Sequence, residues 1–148
     1  SNSYIDKLMY QIRSQFDTQC IPSQQGYKEL LRFKNEWVLS LNCIIGDQSP
    51  KHNSQRYTAT FMNQETDFMV GGDRIAAKLK QAVLYPEIRK PKRGHYELTF
   101  KVIEQGPAHK EKNKCINAYI ELLEHNIRKQ PALWLWSHRR WIDKHSYN

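Results

Sequence analysis

WVLSLNCIIGDQSP, residues 37–50, joins an apolar run to a polar segment. The run Trp37 to Ile45 is nearly unbroken and includes Val38, Ile44 and Ile45. Its length is short for a core helix, and its β-branched residues suit a strand buried on both faces. GDQSPKHNSQRYTA, residues 46–59, then reads as the loop at that strand's C-terminal end, where an open α/β sheet places its binding sites. A buried strand at the centre of the chain makes the class α/β.

The surrounding sequence fits this class. Ile5, Leu8, Met9, Ile12 and Phe16 recur at helical spacing and predict an amphipathic helix over roughly residues 3–16. A connector around Pro22 leads to a short helix with Tyr27, Leu30 and Leu31 inward. Downstream of the loop, TFMNQET holds at most a few extended residues. VGGDRIAAKLKQ predicts a helix with Asp73 near its start and Ile75, Ala76 and Leu79 buried. AVLYPEI is a strand in which Pro86 marks an edge or a bulge. After the turn KPKRG, HYELTFKVI alternates Tyr96, Leu98, Phe100 and Val102 with His95, Glu97, Thr99 and Lys101. That pattern is a half-exposed strand, antiparallel to the one before it. Ile116, Ile120, Leu123 and Ile127 line a last helix ending before Pro131. The order is α-α-β-(β)-α-β-β-α with an aromatic, basic tail, a layered α/β structure with a mixed sheet.

A chain of 148 residues with 39% apolar composition can bury the core of one domain, and residues 1–148 read as one. The net charge of +8 favours anionic partners: nucleic acid, an acidic carrier protein, or phosphorylated lipid and membrane faces. Cys20, Cys43 and Cys115 are odd in number and lack metal-ligand spacing, so they read as small apolar residues in a reducing compartment. No apolar stretch is long enough for a membrane span, and no signal peptide opens the chain. No cofactor or metal is expected.

The tail QPALWLWSHRRW, residues 130–141, carries three of the four tryptophans beside Arg139 and Arg140. Arginine next to tryptophan suits a lipid–water interface, although one or two of the tryptophans also fit a core. His138 and Asp143 have H-x4-D spacing, but on a helix such a pair diverges by about 140°. Asp47 and Gln48 either hold their turn or border a site. The run RKPKRG, residues 89–94, is a solvated basic tip or a contact for phosphates. VGGD lacks the Lys-Ser/Thr of a P-loop.

NQETDFMVGGDRIAAKL, KRGHYELTF and RKQPALWLWSHRRW, in this order, resemble the bacterial lipid A biosynthesis acyltransferases of the lysophospholipid acyltransferase superfamily. The likeness is nearest to Bacteroidetes members. GDQSP is similar to the family's D-Q block, IDKLMYQIRSQFD to the helix after its catalytic block, and Gln130-Pro131, Trp136, His138, Arg139 and Arg140 to its final motif. The resemblance implies a partial lysophospholipid acyltransferase-like fold lacking its N-terminal part. It implies transfer of an acyl chain from acyl carrier protein or acyl-CoA to a hydroxyl of a lipid A precursor. The reaction would lie at the cytoplasmic face of the inner membrane.

The family's catalytic histidine, in an H-x4-[DE] motif, is expected upstream of Ser1. No catalytic residue is then expected in this chain, and the chain alone is expected to be soluble and inactive. Arg13 matches the family arginine that binds a substrate phosphate or supports the catalytic acid. Asp47 and Gln48 match substrate-side positions, and His138, Arg139 and Arg140 are tail positions that either brace the fold or touch lipid. Uncovered apolar faces are expected to drive self-association. Two other readings compete: a basic nucleic-acid-binding module, against which no RNP-like, KH or helix-turn-helix pattern is found, and a non-catalytic lipid-binding accessory domain.

Overall fold

The computed structural model describes residues 2–51, 54–106 and 113–141. Its contacts divide the chain into two compact units, residues 1–41 and 42–148.

In the first unit, α1 spans Ser3–Arg13 and is capped by Asn2, whose side chain accepts a hydrogen bond from the Tyr4 amide at 3.0 Å. Its apolar residues Ile5, Leu8 and Ile12 are exposed, and no residue of the helix is buried. A 3-10 turn at Gln15–Asp17 ends it, with Phe16 and Asp17 both at positive φ. α2 spans Gly26–Asn35 and buries Leu30. On its outer side Arg32 bridges Glu29 at 3.1 Å and Glu36 at 2.7 Å.

The expected strand at residues 37–45 does not form. Trp37 has φ of 57°, and the segment carries no β-ladder. Its apolar side chains stand in solvent, with Leu39 99% exposed. Composition favours an extended backbone here, but a strand needs neighbouring backbone to bond, and none takes up its amides and carbonyls in a ladder.

The second unit gathers around α4, Lys114–Lys129, whose apolar face Ile116, Ile120, Leu123 and Ile127 is buried as the spacing predicts. Two antiparallel hairpins pack on it, and their strands form two separate two-stranded sheets. The architecture is thus mixed α/β, with antiparallel pairing in both sheets. In the first hairpin, β1 (Arg56–Phe61) pairs with β2 (Gln64–Met69). Much of β1 lies in sequence read as loop. Its turn is Met62-Asn63, with φ of 51° and 63°, a two-residue hairpin turn without the usual glycine. Glu124 of α4 holds that turn by accepting the Met62 amide at 3.0 Å. One hairpin face, with Ala59, Phe61, Thr66 and Phe68, points to the core. Phe61 and Phe68 meet edge-to-face at 5.4 Å and are both 0% exposed.

α3, Gly71–Leu79, buries Ala76 and Leu79 and leaves Ile75 half-buried. The second hairpin joins β3 (Val83–Lys92) to β4 (His95–Glu104), closed at Gly94 with φ of 78°. Pro86 sits in β3, which is an edge strand in a two-stranded sheet, and bulges interrupt the register elsewhere. The face toward the core carries Tyr85 and the Glu87–Lys101 ion pair at 3.0 Å. The face carrying Leu84, Ile88, Leu98, Phe100 and Val102 is exposed. The alternation of β4 thus stands as expected, but its apolar side is the open one.

Candidate functional site

The site starts from Gly46. A Cβ at this position would lie 3.3 Å from Cζ and Oη of Tyr119, so any other residue there would push the loop and the α4 tyrosine apart by a few tenths of an ångström. Tyr119 in turn meets Tyr85 of β3 edge-to-face at 5.9 Å. Burial pushes the Tyr119 hydroxyl far above its ordinary pKa, and the Asp47 carboxylate and Tyr85 add to the shift. Tyr85 is raised as well, first by burial, against a hydrogen bond with Asn126. Both phenols therefore remain protonated donors at neutral pH, facing a half-buried Asp47.

The loop is held from its other side by the tail. After α4 the chain makes a 3-10 turn, Pro131–Leu133, and then two tight turns, His138 N–H to the Leu135 carbonyl at 3.0 Å and Arg140 N–H to the His138 carbonyl at 2.8 Å. These turns bring both polar ends onto Ser49. The Ser49 hydroxyl donates to the Arg140 carbonyl at 3.0 Å, and the Ser49 amide donates to His138 Nε2 at 3.4 Å. His138 Nε2 is the acceptor in that contact. Arg140 is 4% exposed. Its Nη2 donates to the Asp67 carbonyl of β2 at 2.7 Å, its Nη1 reaches Ser49 Oγ at 3.4 Å, and its guanidinium lies 4.6 Å over the Phe68 ring. Burial lowers its pKa, against the fields of Tyr119, Asp47 and Asp67, and the group stays a cation.

The tail is anchored by its tryptophans. Trp141 stacks on Phe61 at 6.1 Å and donates its indole N–H to Thr66 Oγ1 at 2.9 Å. Trp134 leans on Phe61 at 6.3 Å. Trp136 is exposed and donates to the Pro131 carbonyl at 2.7 Å. Gln130 accepts the Lys90 amide at 3.0 Å, tying the start of the tail to β3. Two tryptophans thus serve the core and one faces outward.

Of the residues expected to matter, Asp47, Gln48, His138 and Arg140 gather at one end of the second unit, with Gln48 exposed and Arg139 turned to solvent. Arg13 is exposed in the last turn of α1, in the first unit. The partner of His138 in the H-x4-D spacing, Asp143, lies outside the described residues. Arg89, Lys90, Lys92 and Arg93 form the exposed tip of the second hairpin. Tyr119, Tyr85 and Ser49 carry no sequence signal of their own. Tyr119 falls beside the apolar stripe of α4, one position before Ile120, and only the approach of Gly46 reveals its part.

Chemically, the cluster offers a carboxylate, a primary amide and protonated phenols, beside a buried fixed cation. Such a set orients a hydroxyl-rich or phosphorylated ligand by hydrogen bonding. Among the described residues no histidine pairs with a carboxylate, and no group of three or more His, Cys, Asp or Glu could hold a metal ion. Cys115 is buried, and burial raises its thiol to about 11, so it is a packing residue. Fold and site define a small α/β scaffold that clamps a polar loop between a helix and an arginine-bearing tail.

The family model for the bacterial lipid A biosynthesis acyltransferases matches residues 1–143, and the chain belongs to that family. Its activity is acyl transfer in lipid A biosynthesis. Comparisons with curated proteins and with solved structures find no match. Among the described residues, no helix is long and apolar enough to cross a membrane.

Proposed function

We propose that this chain is the acceptor-holding part of an enzyme that moves a fatty acyl chain from acyl carrier protein or an acyl-CoA thioester to a hydroxyl of a lipid A precursor. The observation that carries this reading is the family match over residues 1–143. The meeting of the D-Q block with the tail through Ser49 supports it, because two separate stretches of the family pattern become one cluster. In this reading residues 1–148 belong to a single acyltransferase domain working at the cytoplasmic face of the inner membrane. Asp47 and Gln48 receive hydroxyl or amide groups of the sugar. Arg139, exposed in the tail, is assigned to an anionic group of that lipid, and Arg13, exposed on α1, keeps the role the family resemblance implies for it, a phosphate contact or support of the catalytic acid. The net charge of +8 draws the anionic glycolipid and an acidic carrier protein.

The acceptor hydroxyl must lose its proton to a base within hydrogen-bond reach, and lack of that base costs about 10²–10⁴-fold in rate. We assign that base to a residue outside this chain. Residues 1–148 alone therefore give no measurable transfer, and in the enzyme that carries them Asp47→Ala weakens acceptor use at least about tenfold. Turnover by residues 1–148 alone, abolished by His138→Ala and untouched by Asp47→Ala, would overturn the assignment. Tight nucleic-acid binding that weakens steeply with salt would favour the basic-module reading instead. The exposed apolar face of β3 and β4 is the surface through which the isolated chain self-associates. Light scattering that stays monomeric across a concentration series would remove this part of the proposal.

A further inference from the structure

The tail motif holds an arginine that is almost wholly buried, and among the described residues its Nε has no hydrogen-bond partner. A buried guanidinium with an unused donor is costly, and a residue kept only for packing would be replaced by an apolar side chain without loss. A residue that gripped substrate directly would need its donors open to the ligand. Arg140 fits neither description. Its two terminal nitrogens point at protein groups, the Asp67 carbonyl and Ser49 Oγ, while its own carbonyl receives the Ser49 hydroxyl. The guanidinium lies over the Phe68 ring, and the Nε that remains is sealed from solvent. These contacts join the Gly46–Pro50 loop to β2.

We propose that Arg140 is a positioning residue that fixes the loop carrying Asp47 and Gln48 against the first hairpin, through Ser49, and touches no substrate itself. Tyr119 closes the same loop from beneath, at Gly46, so the two ligand-facing residues lie between two fixed points. His138 assists by accepting the Ser49 amide. Arg139, next in the chain and exposed, is separate from this role. For the contribution to substrate use, the inference rests on the function proposed above; for the geometry it does not.

The test uses Ser49→Ala, Ser49→Thr, Arg140→Gln and the double variant Ser49→Ala/Arg140→Gln, each in the full chain. Hydrogen exchange is read at the amides of Gly46 to Ser49 and, as a reference, along α4. Ser49→Ala and Arg140→Gln each speed exchange in the loop about tenfold while α4 keeps its protection, and the double variant is no faster than the Arg140 variant. Ser49→Thr, which keeps the hydroxyl, restores the slow rate. A residue that merely filled space would show the opposite ranking, since alanine is the easier fit. If Arg140→Gln does not fold, the Ser49 pair decides alone. Loop exchange unchanged in Ser49→Ala, or effects of the two sites that simply add, would overturn the proposal. In acyl transfer by the enzyme, Ser49→Ala raises KM for the acceptor about tenfold and leaves kcat within about threefold. Loosened loop amides without that KM change would instead refute the substrate role of Asp47 and Gln48, leaving the geometric claim standing.

Discussion

Replacement of Phe61 by alanine tests whether the tail and its site depend on the first hairpin. Phe61 is fully buried and touches three other rings, Phe68 at 5.4 Å, Trp141 at 6.1 Å and Trp134 at 6.3 Å. Truncating a buried phenylalanine costs about 3–5 kcal/mol from lost transfer energy and the cavity left behind. Taking about 4 kcal/mol and a urea dependence of about 1.5 kcal/mol per molar, the midpoint falls by about 2.5–3 M. The assay is urea unfolding followed by tryptophan fluorescence and far-ultraviolet circular dichroism. Trp134 and Trp141 lose their support together, so their emission shifts red before helical signal is lost. Phe61→Leu, costing about 1.5 kcal/mol or less, keeps the measurement in range if the alanine variant does not fold. Phe100→Ala is the control: the same side chain on an exposed face of β4, with an effect within about 0.5 kcal/mol. A Phe61→Ala loss under about 1 kcal/mol, or an equal loss at Phe100, would refute the placement of the core beneath the tail.

Three further outcomes are expected. Thr66→Val keeps the shape of the side chain but removes the acceptor of the half-buried Trp141 indole, costing about 0.5–1.5 kcal/mol in the same unfolding assay. Glu124 is held below the ordinary carboxylate range, first by the Met62 amide and then by Arg128, so its contribution is complete above the ordinary value and is lost as pH falls through the lower folded one. Glu124→Gln therefore lowers the melting temperature at neutral pH, and the gap to the parent chain closes in acid; a gap that stays constant down to about pH 3 would contradict this. With a maleimide at mildly alkaline pH, the exposed Cys43 reacts first and the buried, high-pKa Cys115 only on unfolding; early labelling of Cys115, read by peptide mass, would show the α4 interface to be open.

The sequence made several parts of this molecule readable, each for a local reason. α4 was legible because four apolar residues at a helical period leave one buried face, and Pro131 stops it. β3 and β4 were legible because alternation and a glycine turn set a hairpin within twenty-two residues, 83–104. The family pattern in GDQSP and SHRRW marked two stretches that the fold brings together at Ser49. The first hairpin was missed because its turn, Met62-Asn63, lacks glycine and its strands are polar on one side. What holds it is Glu124, sixty-two positions away from Met62.

Residue pattern alone determined which segments are helical, where one hairpin turns, how the charge is balanced and which family the chain resembles. These depend on neighbours within a few positions, where backbone geometry and side-chain period act. Tertiary structure decided the rest: that the apolar run at 37–45 forms no ladder, that the apolar side of β4 lies open, and that Arg140 turns inward to Ser49 and Asp67 while Arg139 stays outside. A strand needs a partner to bond, a face needs a layer to cover it, and a buried cation needs acceptors. For Arg140 those acceptors lie 91 and 73 positions away along the chain, a distance no local pattern can encode.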